Sequence, residues 1–190
     1  MGDTGAGTVL LYDTTLRDGT QREGLSLSVE DKLRIARELD VLGVRYIEGG
    51  WPGSNPKDAE FFARARQLRL RNAKVTAFGC TRHARNRCED DPNILALVEA
   101  ETPVVALVGK ASSLHVEKVL ETTRDQNLRM ISESVAYLKG LGKEVVYDGG
   151  QIVNPSLADY QLPSVRDLGP RWAAAIRESA PGEARIHGPD

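Results

Sequence analysis

The chain has 190 residues, 41% of them apolar and 27% charged, enough to build one packed domain and too apolar for intrinsic disorder. With 25 basic against 27 acidic side chains the formal net charge is −2, so no overall field draws the protein onto nucleic acid or an anionic membrane. No stretch reads as a membrane span, the opening MGDTGAG does not read as an export signal, and Cys80 and Cys88 form no disulfide framework or C-x-x-C site, which together point to a reduced, cytoplasmic setting.

From residue 8 onward, short apolar or β-branched runs alternate with longer amphipathic stretches, the pattern of βαβ units around a parallel sheet. A first strand is expected over residues 8–13, followed by the polar run DTTLRDGTQ at 13–21. The clearest helix spans 28–42: Ser28 can cap it, Asp31 sits three residues on, Leu33, Ile35, Ala36, Leu39 and Leu42 form an apolar stripe, and Gly43 stops it. A strand at 45–50 leads to a helix at 56–70, a strand at 74–79 to a helix at 92–100, and a strand at 103–108 to a helix at 121–141, with a fifth strand at 143–147. Two groups of arginines, Arg64, Arg66, Arg69, Arg71 and then Arg82, Arg85, Arg87, read as a solvated helix face and loop, with an anion or coenzyme A phosphate contact as the alternative. Beyond Asp148 the chain is punctuated by Gly149, Gly150, Pro155, Pro163, Gly169 and Pro170, with one short helix expected at 171–179, so residues 1–148 read as the α/β domain and 149–190 as a weakly ordered tail. Periodicity does not choose between an open sheet and a barrel.

Polar groups packed at the C-terminal ends of parallel strands are where such folds bind ligands. Arg17 offers a forked cation suited to a carboxylate or developing oxyanion, and Asp18 a hard oxygen for a divalent metal. An Asp–Arg pair capping the first strand explains these two residues equally well. Glu48, which ends the second strand before Gly49 and Gly50, adds a second carboxylate at the same rim and favours a site.

The segment DTTLRDGTQREGLSLSVEDKLRIARELDVLGVRYIEGGWPGSNPKD resembles the start of citramalate synthases, which share a family with isopropylmalate and homocitrate synthases and hydroxymethylglutaryl-CoA lyases. KVTAFGCTR, ETPVVALVGKASSLHV and LKGLGKEVVYD follow in the same order, so the likeness covers about residues 8–148. It implies a partial TIM (β/α)8 barrel of about five β/α units with an irregular C-terminal tail. It implies an acyltransferase that condenses acetyl-CoA with pyruvate, serving isoleucine synthesis, with 2-isopropylmalate synthase or a lyase of the same group as alternatives. By the same resemblance Asp18 would ligate a divalent metal (magnesium or manganese, with zinc a further option), Arg17 would bind the keto acid and steady the enolate-like oxygen, Gln21 would shape the substrate pocket, and Glu48 would be catalytic, as an acid/base or outer group. Lys110 and His115 fall on similar positions but read more readily as solvated residues of a surface loop.

The likeness also implies ligands that this sequence does not supply. After the fifth strand the family carries a glutamate-histidine segment where this chain reads Gly149-Gly150-Gln151, and takes a His-x-His metal pair from a later strand, where this chain has the single histidine His187. An incomplete metal set and an inactive chain are therefore expected, with a non-catalytic half-barrel as the rival, and a half-barrel leaves its first and fifth strands as edges open to homo-oligomer formation. The stretch at 154–164 is similar to a segment near the C-terminus of xanthine-dehydrogenase-type molybdenum hydroxylases.

Overall fold

Five parallel strands lie side by side in the order in which the chain makes them: β1 (Tyr12–Asp13), β2 (Tyr46–Gly50), β3 (Lys74–Cys80), β4 (Val104–Val108) and β5 (Glu144–Asp148). They belong to a computed structural model that describes residues 9–149. The expected tail, its helix at 171–179 and the stretch at 154–164 lie outside the described residues. Pairing in strict sequence order builds the wall of a barrel and has no strand-order reversal.

The wall is curved. β2 and β5 would sit roughly 14 Å apart in a flat sheet, yet the Tyr46 hydroxyl on β2 donates to Oε1 of Glu144 on β5 at 2.5 Å, while Lys74 Nζ on β3 donates to its Oε2 at 2.7 Å. Side-chain alternation then separates two faces. Tyr46, Glu48, Thr76, Phe78 and Ala106 share the concave face, whereas Ile47, Ala77, Val105 and Leu107 join Phe61, Ile94, Leu97, Ile131 and Leu138 in the core between sheet and helices. The fold is thus a partial TIM barrel, with its helices on the convex side.

Local chemistry sets the helices. In α1 (Val29–Leu42), Ser28 accepts from the Asp31 amide and Asp31 answers to the Ser28 amide, and Gly43 at φ 89° ends the helix. The next helix, α2 (Pro56–Ala65), is capped by Asn55 and stops short of the expected residue 70. Asp40, at the end of α1, accepts the amides of Arg71, Asn72 and Ala73, which pulls this stretch out of a helix and onto the foot of β3. Then α3 (Pro92–Glu99) starts at Asp91, which accepts from Asn93 and Ile94.

The expected helix at 121–141 is α5 (Arg124–Gly140), and a short helix that was not expected, α4 (Ser113–Lys118), precedes it. Thr123 caps α5 and Glu121 takes φ 49°, a turn conformation that keeps the first three expected residues out of the helix. β1 forms a two-residue ladder instead of the expected six because, among the described residues, it pairs with β2 alone.

Candidate active site

The run after β1 folds into a tight turn. Asp13 accepts from the amide and hydroxyl of Thr15, the Thr14 carbonyl takes the amides of Arg17, Asp18 and Gly19, and fully buried Leu16 anchors the loop in the core. The turn places Arg17 and Asp18 side by side at the C-terminal end of the sheet, and the two pair at 3.3 Å.

Arg17 leans inward over the concave face. Its Nε donates to Oε1 of Glu48 at 2.5 Å, and its guanidinium carbon lies 4.1 Å from the centre of the Phe78 ring, a stacked cation–π contact. Glu48 is 2% exposed, and its other oxygen accepts from the Tyr12 hydroxyl at 2.5 Å. Burial, followed by the charge of Glu48, pushes the Tyr12 phenol well above its ordinary pKa, so it remains a donor. Both Glu48 oxygens are therefore engaged in holding other groups.

The loop between β2 and α2 forms the neighbouring wall. Lys32, 2% exposed, donates to the Gly49 carbonyl at 2.9 Å and to Oδ1 of Asp58 at 2.5 Å, and Oδ2 of Asp58 accepts the Trp51 amide and the Asn55 side chain. Gly49 is required because a Cβ there would come 2.3 Å from the Phe61 ring, and Gly50 because its φ is +146° and a Cβ would come 2.6 Å from Asp58. The loop so held places Trp51 edge-on to Phe78, centroids 5.6 Å apart, and encloses with the turn after β1 a cleft of about 620 Å³ whose lining includes Arg17, Gln21, Trp51, Asn55 and Lys57.

A family model described as HMGL-like matches residues 8–160. The chain belongs to the HMGL-like family. An (R)-citramalate synthase of Aquifex aeolicus is 48% identical over 169 residues, covering 86% of this chain and 32% of that protein. Its counterpart in Synechocystis is 46% identical over 167 residues, covering 85% and 30%. A 2-isopropylmalate synthase of Thermosynechococcus vestitus is more distant, at 37% identity over 139 residues, 73% of this chain and 26% of that one. Among solved structures, an HMG-CoA lyase of Bacillus subtilis superposes with a TM-score of 0.65 at 17% identity, over 90% of this chain and 55% of that one, a likeness of fold. This HMGL-like chain spans about a third of the length of the citramalate synthases it matches.

Within the HMGL-like fold the predicted residues separate. Arg17 and Glu48 meet, Asp18 lies beside Arg17 with its side chain 62% exposed, and Gln21 is exposed on the cleft lining. Lys110 is in the loop after β4, whereas His115 is half-buried inside α4 and not in a loop. Arg82, expected on a solvated surface, is 5% exposed, with Nε on Glu133 and Nη1 on the carbonyls of His83 and Asn86. It organises the loop after β3. Arg64 and Arg66 do face solvent, paired with Glu30 and Glu101. Asp18 contributes one carboxylate, and among the described residues no group of three or more His, Cys, Asp or Glu can hold a metal, so these residues do not by themselves fit a catalytic divalent ion.

Sequence reasoning missed Tyr12, Phe78, Lys32 and Asp58. The first two look like strand core and the last two like helix surface. The only signal for the buried pair is that Lys32 falls between Asp31 and Leu33, next to the apolar stripe of α1.

Proposed function

We propose that this chain carries the keto-acid-binding portion of an acyltransferase that joins acetyl-CoA to pyruvate to give citramalate, a step toward isoleucine in a cytoplasmic setting. The observation that carries the reading is Arg17, its Nε fixed by buried Glu48 and its face packed on Phe78, so that a forked cation sits at the rim of the concave face. A guanidinium so constrained suits the carboxylate of a 2-keto acid, and a charge-assisted pair there strengthens as negative charge develops on the neighbouring oxygen. The identity to (R)-citramalate synthases favours pyruvate over the bulkier keto acid of the isopropylmalate branch.

In the condensation, the acetyl methyl group loses a proton, the resulting carbanion attacks the ketone carbon, the alkoxide takes up a proton, and thioester hydrolysis releases coenzyme A. Arg17 orients the keto acid in this scheme and Gln21 shapes the cleft beside it. Glu48 acts by holding Arg17 and not as the proton acceptor, because both of its oxygens are occupied. Asp18 is the proposed ligand for a divalent ion such as magnesium or manganese. With so few metal donors, purified chain given acetyl-CoA, pyruvate and either metal is expected to release coenzyme A no faster than a protein-free blank. Among the described residues β1 and β5 are edge strands, which suits self-association into a homo-oligomer.

Binding preference tests the reading directly. Titrated separately, pyruvate is expected to bind more tightly than 2-ketoisovalerate; the reverse order moves the chain to the isopropylmalate branch, and failure of both to bind removes the keto-acid site.

A further inference from the structure

Tyr12 occupies the concave side of β1, and its hydroxyl closes the far side of the Glu48 carboxylate from Arg17. A carboxylate held through one oxygen can turn about its Cγ–Cδ bond. Held through both, with Glu48 2% exposed and shielded from competing water, its plane is set, and with it the direction from which Nε of Arg17 is received. Phe78, 4.1 Å below the guanidinium, fixes the remaining tilt. The Tyr12 ring is itself braced against Tyr46, with centroids 5.7 Å apart, and the Tyr46 hydroxyl is tied to Glu144. A line of contacts thus runs from the N-terminal ends of β2 and β5 to the rim.

We propose that Tyr12 is a positioning residue for Arg17: by anchoring one oxygen of Glu48 it orients the other, and so holds the guanidinium, whose Nη1 pairs with exposed Asp18 at 3.3 Å and whose Nη2 is left for a carboxylate ligand. The inference rests on the reading of Arg17 as the carboxylate-binding group, but the Tyr12–Glu48–Arg17 coupling can be measured without it. Replacement by phenylalanine keeps the ring against Tyr46 and removes only the donor.

The test is side-chain nitrogen relaxation of arginine Nε–H groups in the full chain, with the Arg17 signal assigned from an Arg17→Lys variant. Arg17 is expected to be rigid in the unaltered protein, with an order parameter of roughly 0.8, and to fall to about 0.6 or below in Tyr12→Phe. Site-specific 3-fluorotyrosine at position 12, which keeps the hydroxyl, should restore rigidity. An Arg17 order parameter unchanged in Tyr12→Phe overturns the proposal. Should Tyr12→Phe fail to fold, the fluorine signal of the fluorotyrosine chain decides: it shifts on Arg17→Lys if the three residues are coupled, and an unmoved signal overturns the inference. Pyruvate supplies the separate arm. A rigid, Tyr12-dependent Arg17 that binds no pyruvate leaves the positioning role standing and removes the proposed function; if pyruvate binds, Tyr12→Phe is expected to weaken it roughly tenfold.

Discussion

Glu48 has two oxygens, one taken by a guanidinium and one by a phenol, and that satisfaction is what allows an ionised carboxylate to be buried in the concave face. Glu48→Gln keeps the shape but exchanges the charge and one acceptor for an amide donor facing another donor. We expect it to lower unfolding stability by about 3 kcal/mol, read as a fall in the urea midpoint at unchanged slope. Asp40 is a second buried carboxylate with a different task. Burial opposes its charge, but the amides of Arg71, Ala73 and Asn72 outweigh burial and hold its pKa below the ordinary 3.8. A depressed folded-state pKa contributes stability above the unfolded-state value and loses it as pH falls through the folded-state value. Asp40→Ala is therefore expected to cost about 2 kcal/mol at neutral pH, and its gap from the unaltered protein should narrow as titrations are repeated below pH 3.8. At this scale the sequence was only partly legible. DTTLRDG announces Arg17 and Asp18 and EGG announces Glu48, because charges at strand ends stand out against apolar runs. Tyr12 and Phe78 are strand residues whose chemistry depends on what lies across the concave face, which only the curvature of the sheet decides.

Among the elements, those governed by local signals were readable and those governed by distant partners were not. The reciprocal cap of α1 lies within four residues of chain, and structure and sequence agree on where that helix starts. α2 ends early because Asp40, 31 residues or more away in sequence, captures the amides beyond it. At six residues, α4 is too short to show a period. The β2–α2 loop depends most on such distant partners, since Lys32 from α1 and Asp58 from α2 meet beneath it with Lys32 Nζ 5.4 Å from the centre of the Phe61 ring. Lys32→Met strands a largely buried Asp58 without its cation. Its expected cost is about 3 kcal/mol, and Trp51, whose amide Asp58 holds, should become more mobile. Fluorescence anisotropy of Trp51 with Trp172 replaced by phenylalanine reads that change, and unchanged anisotropy would show that the loop holds itself.

For the molecule as a whole, the sheet order β1-β2-β3-β4-β5 and the contact of Tyr46 with Glu144 across the curve make a half-barrel whose rim carries Arg17, fixed on Glu48, beside the exposed carboxylate of Asp18. Alternating strands and helices made the α/β class legible, whereas the choice of a barrel came from the family resemblance, because curvature arises from contacts between residues 98 apart such as Tyr46 and Glu144. We propose that the cation at this rim receives a keto acid. Isothermal titration of pyruvate into the unaltered chain and into Arg17→Met measures it. The prediction is a saturable isotherm for the first and a loss of at least tenfold in affinity for the second, in line with removal of a charge-assisted pair. Equal affinity in the two proteins would contradict it.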